Sequence, residues 1–455
     1  MASAMLLLSD EPVMSAGDTA WILTSAALVL LMTPGLAFFY GGMVRAKAVL
    51  NMMMMSFVTI GIVSVLWVLY GYSVAFGDSG NGFWGGLKLV GIGELVNDTI
   101  TYNGGAYLIP PLVFDMFQLM FAVITPALIS GAIADRTKFL AWGIFVTVWA
   151  TVVYFPVAHW VFDFGGETTD DNPGWLAAKG VLDFAGGTAV HINAGAAALA
   201  LALVLGKRKG WPKSPFKPHS LPLVLLGAGL LWFGWFGFNA GSALGANGTA
   251  ALAFTNTQVA TAAALLGWLV VEKIRDGHAT SLGAASGAVA GLVAITPACA
   301  FVAPWGAVVL GLIAGALCAV AVGLKYKLGY DDSLDVVGVH LVGGLWGSLA
   351  IGFFSTTSAN SLGKDGLFYG GGFGVLGTQA IGAFSVLAYS FVISFALGFA
   401  IHKTIGFRIS EDEEVAGVDL AEHAESAYDM APASPSAFRP STGPVTITSD
   451  EEVKA

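Results

Sequence analysis

Apolar stretches of bilayer-spanning length recur along most of this chain, and that recurrence constrains the fold more than any other feature. Eleven can be marked, at about 19–42, 50–76, 112–133, 139–159, 185–206, 220–243, 253–271, 281–300, 304–323, 336–355 and 376–402. Each is close to the roughly 20 residues that cross a hydrocarbon core as helix. Only 11% of the 455 residues are charged and 56% are hydrophobic, whereas a water-soluble domain is nearer a quarter charged. Backbone polar groups in lipid must be satisfied internally. An all-α polytopic membrane protein with eleven transmembrane helices is therefore expected.

Glycine is abundant inside these stretches, where small residues let helices approach closely. Cys299 and Cys318 both fall in apolar stretches and suggest neither a disulfide framework nor a metal site. The three-Leu run before Ser9 is too short for the apolar core of a signal peptide. With the loops numbered in order, the odd ones and the juncture after the last stretch hold fifteen Lys and Arg residues. The even loops hold three: Lys88, Lys179 and Lys364. Positive charge marks the cytoplasmic side, so the N-terminus is expected outside and the C-terminus inside the cytoplasmic membrane.

After about Ile409 the composition changes, to 11 acidic residues against 2 basic ones. The expected division is a transmembrane domain over 1–405, a cytoplasmic regulatory region over 406–430 and an acidic tail over 431–455. Val415, Val418, Leu420 and Ala424 give the middle region an apolar face for docking. The tail, rich in Ser, Pro and Thr, has the composition of a disordered segment.

Signs of an internal repeat run through the apolar part. "ITPA" occurs at 124–127 and at 295–298, in the third and eighth stretches. His191 lies in the fifth stretch and His340 in the tenth, each following an Asp. "TPGLAFFYGGM" and "LWFGWFGFNAGS" are similar runs in the first and sixth. An offset of five reverses each helix relative to the membrane. That predicts two inverted five-helix halves, with a substrate path between them, plus one extra C-terminal helix.

Polar groups inside such a bundle are costly and face its interior or a pathway. A single histidine there can be a satisfied packing residue; two in repeat-related helices point to a pair. Facing imidazoles can share one N–H and one lone pair while both stay neutral. Asp183, eight residues before His191, either caps the helix or attracts a cation. Asp335, five residues before His340, reads as a loop or capping residue. Phe117, Gln118 and Phe121 share one stretch, and Trp232, Trp235, Phe238 and Ser242 another. Such stripes pack cores or face lipid in most helices, yet a ring face beside a hydroxyl also suits a small cation.

At this point the chain resembles the ammonium transporter family (Amt/Mep/Rh), in its bacterial Amt-type form. The resemblance rests on "LMTPGLAFFYGGMVR", "FQLMFAVITPALISGAIADR", "LDFAGGTAVHINAG", "WFGFNAGSALGANGTAALAFTNTQVATAAA", "DDSLDVVGVHLVGG" and "VDLAEHAESAYD". It implies a homotrimer with one ammonium or ammonia path per subunit, for which methylammonium is an analogue. It implies a hydrogen-bonded pair of His191 and His340 in the pore and a gate of Phe121 and Phe238. It also implies an outer ammonium site of Phe117, Ser242 and an aromatic at the end of the fourth stretch, supported by Asp183. Gln118 and Trp235 are read as supporting the pore. The family's usual Trp is replaced here by Phe162, so either Phe162 or Trp160 supplies that ring.

The resemblance further implies a PII-type signal protein as a cytoplasmic partner, and no nucleic acid. Ammonium would be recognised outside and pass as neutral ammonia, its proton conducted separately or left behind, with potassium excluded. No cofactor, metal or enzymatic activity is expected. An ammonium sensor and a cation-coupled symporter are the competing readings, with a bis-histidine haem protein as a third.

Overall fold

The computed structural model describes residues 13–78, 81–96, 107–165, 172–214 and 216–428. The expected tail over 431–455 lies outside them. Among the described residues the fold is helical, with two isolated β-bridges and no strand. Ten helices are long and apolar enough to cross a membrane. They are α1 (Ala16–Met43), α2 (Val49–Phe76), α3 (Pro111–Ile133), α4 (Phe139–Phe162) and α5 (Gly187–Leu205), then α6 (Leu221–Gly241), α7 (Gly248–Asp276), α9 (Pro304–Leu328), α10 (Val337–Phe354) and α11 (Gly374–Thr404). The eighth apolar stretch forms a shorter helix, α8 (Ser281–Ile295).

Local chemistry sets these boundaries. Ser15, Asn247 and Thr280 cap α1, α7 and α8, accepting from the amides of Asp18, Ala250 and Gly283. Pro111, Pro222 and Pro304 sit in first turns, where a missing N–H costs nothing. The repeated "ITPA" behaves differently in its two copies. Pro126 lies inside α3, whereas α8 ends at Ile295, just ahead of Pro297, and the chain continues as turns through Phe301. Proline has no N–H to continue the ladder. The eighth stretch, expected as helix to residue 300, stops short at this proline, while the third runs through its copy, so the backbone around the motif decides the outcome.

Leu23, Leu69, Phe233, Leu266, Phe384 and Val392 point outward from their helices, the arrangement of a chain solvated by lipid. Helix pairing falls into a pattern that occurs twice. The pairs α1·α2, α1·α3, α2·α3, α2·α4 and α3·α5 recur as α6·α7, α6·α8, α7·α8, α7·α9 and α8·α10. The helices α1 and α6 pack on each other and α11 lies against α5.

Four helices contain a π-helical turn: Trp67–Gly71 in α2, Ala150–Tyr154 in α4, Gly187–Ile192 opening α5 and Val337–Leu341 opening α10. Such turns occur frequently at functional sites. The last two pack against each other. Gly344 permits that approach, because a Cβ there would meet the Gly187 carbonyl and the His191 Cβ at 3.1 Å.

At one end of the bundle the loops are joined by buried ion pairs. Arg208 binds both carboxylate oxygens of Asp331 at 2.9 Å and Asp135 at 2.9 Å, while Arg136 donates to the Asp331 carbonyl at 2.6 Å. Two short helices, α12 (Glu411–Ala416) and α13 (Val418–His423), lie at this same end. Asp419 accepts from the amides of Leu50 and Asn51 at the start of α2, at 3.0 and 2.8 Å. Glu422 accepts from the Phe139 amide at the start of α4, at 2.8 Å. Glu414 accepts from the Lys209 amide and from Arg408.

Candidate functional site

The two π-helical turns bring His191 and His340 together in the bundle interior. Their Nδ1 atoms lie 3.3 Å apart and the rings are inclined by 27°. Both side chains are buried. One Nδ1 must carry the proton and the other the lone pair, so the contact suits two neutral imidazoles. At this separation the two rings are in direct contact with each other, the arrangement of a hydrogen-bonded pair.

A narrow cavity runs past the pair, lined by Met32, Leu36, Phe39, Ile124, Leu128, Val190, His191, Leu231, Trp235, Phe238, Val289 and His340. Its wall is apolar apart from the two imidazoles and the Trp235 indole. That indole is anchored away from the cavity by donating to Thr296 Oγ1 at 2.8 Å, and its face stacks on His191 at 5.4 Å. His191 Nε2 has no hydrogen-bond partner. An apolar tube with imidazole nitrogens as its polar contacts suits a small neutral solute better than an ion.

Phe238 continues the stack, 6.1 Å from His191 and 4.3 Å from Phe121. Phe121 and Phe238 therefore separate the histidine cavity from a second pocket at the end of the bundle opposite α12 and α13. This pocket is lined by Tyr107, Phe114, Gln118, Phe121, Phe162, Phe164, Phe184, Ser242 and Leu244. Ser242 directs its hydroxyl to the Phe238 carbonyl at 2.9 Å, which leaves the oxygen lone pairs as acceptors. Rings plus a hydroxyl form a surface on which a small cation can rest.

The other expected residues take different places. Phe117 is buried, edge-on to Phe121 at 5.0 Å. Trp160 turns away from the pocket, its indole donating to the Phe83 carbonyl at 2.7 Å, so Phe162 is the ring on the wall. Asp183 is also off the wall. It accepts from the amides of Gly186, Gly187, Thr188 and Ala189 at 2.6–3.3 Å and from the Thr188 hydroxyl. Of the two roles open to it, the hydrogen bonds display the capping one, and a carboxylate so fully used has little left for a cation.

Tyr107, Phe114, Phe164, Phe184 and Leu244 line the pocket without a signal in the sequence to single them out. Phe184 follows Asp183 directly, and the capped turn fixes its direction. Sequence reasoning also misses Asp332. It stands eight residues before His340 and accepts from the Val337 amide at 2.7 Å. Asp335, expected as a loop or capping residue, lies in the loop just before α10, its carbonyl accepting from the Val339 amide at 2.9 Å, and its side chain pairs with Lys325 at 2.6 Å. Among the described residues no three His, Cys, Asp or Glu side chains are placed to hold a metal ion.

Comparison with known proteins gives a consistent result. The profile of the Ammonium Transporter Family matches residues 20–428. An ammonium transporter of Mycobacterium tuberculosis is 59% identical over 442 residues, covering 93% of this chain and 92% of its own. The crystal structure of Candida albicans Mep2 superposes with a TM-score of 0.81 at 34% identity, covering 91% of both chains. A structure described as Sensor Amt Protein superposes equally well, with a TM-score of 0.81 at 30% identity over 90% of this chain and 98% of its own. By profile, identity and fold, this multi-pass membrane protein belongs to the Ammonium Transporter Family.

Proposed function

We propose that the protein takes up ammonium across the cytoplasmic membrane as a homotrimer, one path per subunit. The chain crosses eleven times with its N-terminus outside, as two inverted five-helix halves and an added α11. The pocket of Phe162, Gln118 and Ser242 is the outer site, where ammonium rests on ring faces. Phe121 and Phe238 form the gate below it. Ammonium gives up its proton to water in the outer pocket, and ammonia passes His191 and His340 through the apolar cavity, the proton staying outside or crossing separately along the imidazole pair. Phe117 and Trp235 hold the gate and histidine rings in place, and Asp183 fixes the turn that carries Phe184 and His191.

Physical chemistry supports the order of these steps. A bare cation in this cavity would lose its hydration with no compensating charge, whereas ammonia can trade water for imidazole nitrogen. Potassium has no proton to give up and stays outside. Residues 406–430 form a cytoplasmic regulatory region, and a PII-type protein docks on the same face.

The observation that carries this reading is the contact between His191 and His340 directly behind the Phe121–Phe238 stack. It is tested by methylammonium uptake and current in reconstituted vesicles, comparing the parent with His191→Ala and His340→Ala. Uptake and selectivity unaffected by both substitutions would remove the proposed path.

A further inference from the structure

One buried acidic residue beside the outer pocket is not used by the path described above. Asp163 lies between Phe162 and Phe164, both of which line that pocket. Its own side chain is nearly enclosed, with the residue 9% exposed. Oδ2 is 3.2 Å from His159 Nδ1, and Oδ1 accepts from the Gly165 amide at 3.0 Å. Its backbone is held too, the carbonyl accepting from the Gly174 amide at 2.9 Å.

The histidine's proton can be placed by its neighbours. His159 Nδ1 faces two acceptors, Asp163 Oδ2 and the Ala75 carbonyl at 3.1 Å. Only a protonated Nδ1 satisfies both, so His159 serves as the donor and Asp163 as an acceptor. The pair thus locks a carboxylate on the segment that carries two rings of the pocket wall. A phenyl ring attracts a cation more weakly than an indole does. The indole close by, Trp160, is turned away to Phe83.

We infer that Asp163 sets the affinity of the outer pocket for ammonium-type cations, as a positioning and charge-supplying residue behind Phe162 and Phe164. Its carboxylate adds the negative potential that phenyl faces alone supply poorly, and its bonds to His159 and Gly165 fix where the rings stand. The inference rests on the reading of this pocket as the outer ammonium site.

The charge on Asp163 depends on pH in the range a cell surface meets. Burial raises its carboxyl to about 6, helped by nearby Asp78 and opposed by the Gly165 amide. Among the described residues, the titratable groups set against it are His159 on α4 and Asp78 after α2. The carboxylate is negative above that value, so attraction is present at neutral external pH and fades as pH falls through it.

The test uses the full chain in vesicles and measures methylammonium KM and Vmax against external pH. Asp163→Asn is expected to raise KM about fivefold at pH 7.5 with Vmax retained. The parent's KM should climb between about pH 7 and 5, and that of the variant should stay flat. Phe162→Trp added to Asp163→Asn should restore much of the affinity, since an indole replaces part of the lost attraction. An unchanged KM in Asp163→Asn, or a pH profile identical to the parent's, would overturn the inference. So would a fall in Vmax alone. If Asp163→Asn does not fold, a parent KM independent of pH over this range overturns it equally. Absence of any methylammonium uptake by the parent would instead sink the transport reading.

Discussion

Asp183 and Asp332 each stand eight residues ahead of one of the two facing histidines, and each caps the π-helical turn that carries it. The caps are unequal. Asp183 serves four amides and a hydroxyl. Asp332 accepts from Val337, and its Oδ1 has no hydrogen-bond partner. Stranding buried amides costs more than losing one cap. Asp183→Ala should therefore destabilise the fold by about 3 kcal/mol or more, and Asp332→Ala by about 1–2 kcal/mol. Thermal unfolding in detergent measures both, and equal losses would contradict the difference in capping.

The histidine pair should govern selectivity. His191→Asp or His340→Asp places a carboxylate beside the remaining imidazole and favours its charged form. Potassium current, expected to be absent in the parent, should become measurable in vesicles. If potassium stays excluded and ammonium flux is unchanged, the pair does not perform the role proposed for it.

The two rings proposed as the gate should differ in their importance. Phe238 touches Phe121, Trp235 and His191, whereas Phe121 is backed by Phe117. Phe238→Ala should open the outer pocket to the histidine cavity, and Phe121→Ala should be milder. Conductance of the two variants reads the difference. Loss of assembly in both would point to core packing instead.

The loop ion pairs give a pH signature. Burial alone would raise the Asp331 carboxyl, but the Arg208 hydrogen bonds and the charges of Arg136 and Arg208 hold it below the usual range. A carboxyl depressed in the folded state stabilises above its unfolded value, near about 3.9, and that contribution fades as pH falls through the folded value. Asp331→Asn should cost about 3 kcal/mol at pH 7, with the gap to the parent closing below about pH 4. A gap independent of pH would show that shape rather than charge matters there.

Truncation separates the two parts of the C-terminal region. Ending the chain after Met430 should leave methylammonium uptake near the parent's. Ending it after Phe407 removes the carboxylates of Asp419 and Glu422 from the first turns of α2 and α4, and should lower uptake about threefold or more. Equal uptake by both truncations would rule out coupling through this region.

Much of this architecture can be read from hydropathy alone, because lipid leaves a helix few alternatives. The histidine pair is legible for a related reason, since a polar group at that depth needs a partner. What escapes depends on facing rather than on sequence distance. Trp160 and Phe162 are two residues apart, about 200° around a helix, so no more than one could meet the pocket. Their spacing does not say which. Asp335 reads as a loop or capping residue and does lie in that loop, but the side chain that caps the turn is Asp332, which shares the eight-residue spacing of Asp183. The positive-inside count treats Arg45, Arg136 and Arg208 as surface charge, yet they stand in or beside a buried ion-pair network. Pro126 and Pro297 share a motif and differ in effect, because the backbone around each, not the proline, decides whether the helix continues.

The π-helical turns make the meeting of the two histidines a matter of counting. Each such turn holds one residue more than an α-helical turn. Deleting one residue from 187–192 or from 337–341 would let the helix relax to regular winding. Every side chain before the deletion would then swing by about 100° relative to those after it. The hydrophobic girth of the bundle would barely register so small a loss, while an imidazole would leave its partner. The channel's chemistry is thus written in the length of the chain as well as in its letters.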